Sequence, residues 1–323
     1  MSLLTRRPTH SAADSWTALI RNKLVQIKLL RILVQSLRTA PAFDAPRGFL
    51  RDQLFADTSA SYRVKRTGHL VELRPREDLQ VARELLSKDA YAPPARVRAK
   101  LIDSAPLIVD LGANIGLFAL SEVSRYGLAC RVIAVEPDPE NVALLTQNVN
   151  QNRLQAQISI EQAAAATDSG TATFCSGQNE LSHVARATDH HGGGTIEVPA
   201  VDAFELLERA DLVKIDIEGS EWPILRDPRL KKIPAIGIAL EWHDHSSGSD
   251  DPRSLARRLL RDAGFDVVVD EAGADHVGFM WGVQTASPDT VDPDVAGERE
   301  DRPRGLGGVR ERGRAGGGAA DRS

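Results

Sequence analysis

Four places in the 323-residue chain bring together side chains able to hold a charged ligand or move a proton. The first is LIVDLGANIG, Leu107 to Gly116, where Asp110 stands two residues before a turn bracketed by Gly112 and Gly116. The second is Glu136, which ends the apolar run Arg131 to Glu136. The third is Lys214-Ile215-Asp216-Ile217-Glu218-Gly219, and the fourth is Glu241-Trp242-His243. Each polar group closes a short apolar run that reads as a buried strand. Ligands of open α/β sheets bind at the carboxyl ends of the strands, so these groups would surround one site.

Glycine at 112 and 116 lets the backbone turn sharply and leaves room where a Cβ would collide with a ligand. The helical pattern from Leu117 to Tyr126 then aims its unpaired N–H groups at that ligand. The dinucleotide fingerprint G-x-G-x-x-G would need glycine at 114, where this chain has Asn114. No lysine with a following serine or threonine completes a phosphate loop. Asp110 puts negative charge beside the turn, which suits a cation better than a pyrophosphate. S-adenosylmethionine meets these demands, with a sulfonium, an ammonium and no phosphate. Glu136 is placed to accept from both of its ribose hydroxyls. The plain alternative is a structural glycine turn beside an exposed acid.

In the third run, alternation puts Lys214, Asp216 and Glu218 on one side of a strand. Three charges there are costly unless they pair with one another or hold a ligand, and a local ion-pair network is the bland reading. His243 alone would be an ordinary surface histidine. It gains interest because it ends the strand beside this one, where an acceptor would lie.

The elements that must position these groups alternate short apolar runs with helical patterns from Leu107 onward, as in a doubly wound α/β sheet. The expected strands are 107–111, 131–136, 157–161, 211–217, 235–241, 266–269 and 277–283, with helices at 139–151, 220–226 and 251–263. Only Asp270 to His276 separates the last two strands, too short for a parallel crossover, so they should pair antiparallel. Residues 171–175 and 195–199 read as an inserted hairpin. Residues 1–99 form a lead-in: a helix from Asp14 to Arg38, a hairpin over Tyr62 to Leu73 and a helix from Glu77 to Ser87. This lead-in should cover the substrate side or form a contact with a second subunit. The first helix is apolar on one stripe and basic elsewhere. It could lie on an anionic membrane, though such stripes more often pack on their own domain or on a partner subunit. Residues 100–286 form the main domain. Residues 287–323 hold Gly, Arg, Asp and Glu with almost nothing apolar, which predicts a disordered tail.

An apolar fraction of 42% supports a full core, and a net charge of −5 gives no reason to expect a nucleic-acid groove. Cys130 and Cys175 make no disulfide framework, which fits a reducing cytoplasm. Arg6 and Arg7 precede no apolar core of a signal peptide, and no apolar run reaches membrane-spanning length.

Over about Leu70 to Val283 the chain resembles the FkbM-type S-adenosylmethionine-dependent methyltransferases. The resemblance is carried by VDLGANIG, AVEPDPENVALLTQNV, VKIDIEGSEWPIL and IALEWHD. It implies a Rossmann-like class I methyltransferase fold: a seven-stranded, mostly parallel sheet with an antiparallel last strand. It also implies methyl transfer, usually to a hydroxyl of a sugar, a polyketide or a lipid-linked small molecule. Carried onto this chain, Asp110, Gly112, Asn114, Gly116 and Glu136 would hold the cofactor, and the stretch around Ala164 would border its adenine.

A hydroxyl that accepts a methyl must lose its proton, which calls for a general base. His243 is the expected base, oriented by Glu241 or Asp216, with Lys214 and Glu218 shaping the acceptor site. His183 is a second candidate. A magnesium-assisted route through Asp216, Glu218 and Glu241 has the weaker case. Rival readings are a nucleotide-dependent oxidoreductase or epimerase, which the missing glycine disfavours, and a scaffold, which would need no acidic and histidine strand ends. Nucleic-acid methyltransferases acting on base amines usually carry Asn or Asp, two prolines and an aromatic residue where this chain has Asp216-Ile217-Glu218-Gly219. The expected acceptor is therefore a glycoside, polyketide or glycolipid and not a nucleic acid. Its identity depends on the lead-in and on the loop from Ser176 to Gly194, which carry no readable code.

Overall fold

The computed structural model describes residues 12–175, 195–272 and 277–285, and for residues 12–25 the backbone alone. The expected tail at 287–323, the loop from Ser176 to Gly194 and its His183 lie outside the described residues. The lead-in comprises α1 (Ala12–Thr39), α2 (Pro46–Phe55), a hairpin of β1 (Ala60–Arg63) and β2 (Leu70–Leu73), α3 (Leu79–Ala82) and α4 (Ala95–Leu101). Then follow β3 (Leu107–Leu111), α5 (Leu117–Tyr126), β4 (Arg131–Val135), α6 (Pro139–Gln151) and β5 (Ile158–Glu161). A small sheet of β6 (Ala164–Ala166), β7 (Gly170–Cys175) and β8 (Thr195–Asp202) leads through α7 (Ala203–Leu207) to β9 (Leu212–Ile215). The remaining elements are α8 (Glu221–Arg226), β10 (Gly237–His243), α9 (Pro252–Asp262), β11 (Phe265–Ala272) and β12 (Val277–Gln284).

Seven strands form one sheet in the order β11-β12-β10-β9-β3-β4-β5. The strands from β10 to β5 are parallel, while β12 runs antiparallel to both β10 and β11. This is the expected α/β sheet with its reversed last strand. The chain winds outward from β3 through β4 to β5, then returns to β9 on the other side of β3. The reversal opens a crevice at the carboxyl end of β3, and all four polar strand ends gather there.

Strand side chains alternate between two cores. Ile108, Val132, Leu212 and Ala239 pack with Leu117, Phe118 and Leu145 on one face. Val109, Leu111, Val213, Ile215 and Leu240 pack with Trp222, Ile224 and Leu260 on the other. Cover on both faces explains why these strands read as unbroken apolar runs. Trp222 is fully buried, and its indole N–H donates to the His243 carbonyl at 2.8 Å, which satisfies the one polar atom that burial would strand.

Two asparagine side chains, Asn148 on α6 and Asn152 at its C-cap, bond the lead-in hairpin to the sheet. Asn148 Oδ1 accepts the Glu72 N–H at 2.6 Å, and Asn152 Oδ1 accepts the Leu70 N–H at 2.8 Å, so they act as a substitute strand for β2. Asn148 also donates to the Ile115 carbonyl at 2.9 Å, which ties the hairpin to the turn after β3. Phe43, Phe49 and Tyr62 fill the space behind, with ring centroids 4.6 to 5.4 Å apart.

Three expectations need adjustment. The helix expected over Glu77 to Ser87 is one α turn followed by a π-helix at Arg83–Lys88, which ends at Asp89 with φ of +54°. Strand β9 stops at Ile215, so Asp216 to Gly219 form a turn, with Glu218 and Gly219 at φ of +51° and +90°. The expected hairpin at 171–175 and 195–199 is present but gains β6 as a third strand, parallel to β8.

Candidate active site

The turn after β3 is built from backbone. The N–H groups of Gly112 and Ala113 both donate to the Val135 carbonyl, at 3.0 and 2.9 Å, locking the turn onto β4. Gly112 adopts φ of +83°, and a Cβ there would sit 1.7 Å from the Asp216 carbonyl oxygen. Gly116 adopts φ of +85°, and a Cβ there would strike Leu145 Cδ1 at 2.2 Å. Both glycines are thus required by close approach within the protein, where the sequence had suggested room for a ligand. Asn114 adopts φ of +50°, a region asparagine tolerates better than most residues. Its N–H donates to Glu136 Oε2 at 2.8 Å, and its Oδ1 accepts the Ile115 N–H at 2.7 Å.

Glu136 lies just past β4 and is almost wholly buried. Besides Asn114, it accepts from the Asp138 N–H at 3.0 Å and from Asn141 Nδ2 at 3.2 Å. Burial pushes its carboxyl up to about 7, while the Asp138 and Asn114 N–H groups pull it back. A carboxylate offers about four acceptor positions, so one remains for a ligand hydroxyl.

A cavity of about 810 Å³ opens along these strand ends, a size suited to a ligand pair of small-molecule dimensions. Gly112, Asn114, Glu136 and Ala164 line one half. Lys214, Asp216, Glu218, Glu241 and His243 line the other. The structure therefore gathers nine of the eleven expected site residues that fall among the described ones around one space. Gly116 and Asp110 stand behind the wall. Asp110 is fully buried, with its carboxylate 3.3 Å from Lys214 Nζ.

Lys214 organises this floor. Its ammonium donates to the Gly112 carbonyl at 2.9 Å and lies 3.2 Å from Asp216. Burial works against the charge, but Asp216 and Asp110 outweigh it and hold the ammonium above its ordinary range. Burial raises the Asp110 carboxyl, and Lys214 opposes that rise.

Around Glu241 and His243 the structure adds two residues the sequence did not single out. Tyr91, buried just after the π-helix, donates to Glu241 Oε2 at 2.7 Å and has Asp216 Oδ2 at 3.1 Å. One hydroxyl proton cannot serve both carboxylates, and burial with the nearby Asp216 charge raises the Glu241 carboxyl. The second residue is Glu221, the first residue of α8, which is fully buried against His243. The nearest carboxylates to the His243 ring are Glu218 at 3.2 Å and Glu221 at 3.5 Å, ahead of the expected Glu241 at 3.9 Å. Tyr91 is separated from its partners by 125 and 150 residues, so no local pattern could have revealed it. Glu221 was visible inside the EGSEW stretch, but only as an ordinary acid in the first turn of a helix.

The family model for the methyltransferase FkbM domain matches residues 110–267, from Asp110 on β3 to Val267 on β11. The methyltransferase sdnD of Sordaria araneosa is 28% identical over 207 residues, which cover 53% of this chain and 78% of that protein. The AMB antimetabolite synthetase AmbE of Pseudomonas aeruginosa is 29% identical over 206 residues, covering 50% of this chain and 10% of that protein. Among solved structures, the M. jannaschii TYW2 in complex with AdoMet overlaps 70% of this chain and 85% of its own, at 13% identity and a TM-score of 0.38. That overlap is too loose to carry an argument. Over residues 110–267 this chain is thus similar to the FkbM methyltransferases.

Proposed function

We propose that the protein transfers a methyl group from S-adenosylmethionine to a hydroxyl oxygen of a small acceptor, such as a sugar, a polyketide or a lipid-linked molecule. One observation carries the reading: a single cavity joins the Asn114–Glu136 turn to the His243, Asp216 and Glu241 group. The donor set fits the cofactor. Glu136 keeps an acceptor position toward the cavity, the turn presents no lysine or arginine for a phosphate, and Ala164 and Ala165 form a small apolar wall. When bound, S-adenosylmethionine supplies a methyl already activated on a sulfonium.

The protein's task is then alignment and proton removal. Glu136 and the Asn114 turn hold the nucleoside end. Lys214 fixes the floor between the two halves. His243, in its neutral form, takes the hydroxyl proton on Nε2, and Glu221 and Glu218 hold the ring and stabilise the imidazolium that results. The acidic surroundings favour a neutral small molecule over a nucleic-acid phosphate chain.

A second reading is metal-assisted transfer. Asp216, Glu241 and His243 place ligand atoms within 4.8 Å of one another, close enough to share a divalent cation. The Tyr91 hydroxyl already donates to Glu241 at 2.7 Å and Lys214 lies 3.2 Å from Asp216, so we rank this route second. The deciding test of the main reading is incubation with labelled S-adenosylmethionine and a panel of glycosides, polyketides and lipid extracts. The expected product carries one added CH2. Absence of binding to S-adenosylmethionine and to its demethylated product by calorimetry would end the proposal.

A further inference from the structure

The described leucines of α1 (Leu29, Leu30, Leu33 and Leu37) are all exposed, while Ile32 packs on the core of the domain. Where its side chains are described, Ser36 and Thr39 are the buried ones, and their hydroxyls donate to the Ile32 and Gln35 carbonyls of the same helix. Ile27, Leu30 and Leu37 are 64%, 61% and 53% exposed, and Val34 stands with them. Positions 27, 30, 34 and 37 share one stripe of an α-helix. Burying aliphatic side chains is favourable, so a contiguous stripe left in water marks a contact surface.

Charge selects the occupant. Between Ser15 and Phe43 the chain carries Arg21, Lys23, Lys28, Arg31 and Arg38 and no acidic residue, although its net charge is −5. A second copy of α1 laid on this face would bring like charges together. An anionic lipid surface instead pairs phosphates with the basic flank and takes the aliphatics into the headgroup–acyl boundary. Among the described residues no helix is long and apolar enough to cross a membrane, so the contact would lie on the surface. Arg31 also lines the cavity, which puts the cavity and the stripe on one helix.

We propose that α1 docks the protein on an anionic lipid surface through Ile27, Leu30, Val34 and Leu37, with Lys28 and Arg38 beside them. The proposal does not depend on which acceptor the cavity takes.

The test is co-sedimentation of the full chain with vesicles of phosphatidylcholine and phosphatidylglycerol, about 3 to 1, against pure phosphatidylcholine, at low and high salt. The expected result is binding to the anionic vesicles, weakened about tenfold by salt or by omission of the anionic lipid. The pair Leu30→Glu and Leu37→Glu should abolish it while leaving S-adenosylhomocysteine binding intact. If that pair melts early, the single Leu30→Gln at an exposed position serves instead. A chain that stays in the supernatant with anionic vesicles, or binds equally in the variants, overturns the proposal. A dimer that these substitutions split, without vesicle binding, overturns it in favour of a second copy.

Discussion

His243 meets Glu221 twice. Its main-chain N–H donates to Glu221 Oε1 at 2.6 Å, and its imidazole Nδ1 lies 3.5 Å from the same oxygen. One buried carboxylate at the start of α8 therefore holds the end of β10 and faces the ring that β10 carries. With Nδ1 on that side, Nε2 faces Glu218 at 3.2 Å. Burial lowers the tendency of the ring to charge, but Glu221 and Glu218 outweigh it and lift the imidazole to about 9.

A base must be neutral to accept a proton, and a histidine lifted to about 9 is charged at pH 7. If His243 is the base, kcat/KM rises about tenfold per pH unit toward that value and levels above it. Glu221→Gln keeps an acceptor for the His243 N–H but removes the charge, so the inflection moves to lower pH. His243→Ala abolishes turnover and leaves S-adenosylhomocysteine affinity within about threefold. A wild-type profile that stays flat from neutral pH upward would remove His243 from the proposed role.

Glu136 is held by two main-chain N–H groups and an asparagine amide, and it is raised to about 7 by burial. A charged carboxylate accepts from ribose hydroxyls better than a neutral one. Affinity for S-adenosylhomocysteine therefore falls as pH drops through about 7, since protonation removes the better acceptor. Glu136→Gln should weaken binding about 10- to 100-fold, from the loss of one charge-assisted hydrogen bond. Titration calorimetry at several pH values checks both, and a pH-independent wild-type affinity would separate Glu136 from the ligand.

The strand ends were legible because each one closes an apolar run, and a parallel sheet puts all such ends on one edge. Glu136, Asp216 and His243 could be placed in one site on that ground alone. What each touches was not legible. Asp110 read as a ligand to the cofactor, yet register sets it opposite Lys214 on the next strand, so its charge is used inside the sheet. Gly112 and Gly116 were recognised as a turn, but the atoms that forbid a side chain there belong to Asp216 and Leu145. Tyr91 could not be found at all, because only the folding of the lead-in over the sheet brings it to Glu241.

Asp216, Glu241 and His243 also bear on whether a metal takes part. In the proposed route Tyr91 and Lys214 supply the hydrogen bonds that a cation would otherwise replace. Turnover should therefore survive exhaustive treatment with a chelator, and added magnesium should change the rate less than about twofold. Loss of activity on chelation, restored by magnesium, would promote the metal-assisted reading over the first.

Asp110 and Lys214 are partners in the β3–β9 register, with the ammonium 3.3 Å from the carboxylate and 2.9 Å from the Gly112 carbonyl. Neither oxygen of Asp110 has a hydrogen-bond partner among the described residues, so Lys214 is the charge that makes its burial tolerable. Removing one member of a buried pair costs more than removing both, because the survivor keeps its desolvation penalty. Lys214→Met should lower stability by about 3–5 kcal/mol in chemical denaturation at neutral pH. The variant should regain part of that loss as pH falls, since a protonated Asp110 needs no partner and its raised carboxyl favours the folded state in acid. Adding Asp110→Asn to Lys214→Met should restore most of the difference at neutral pH. A single variant within about 1 kcal/mol of wild type would mean that the pair does not hold the floor of the site.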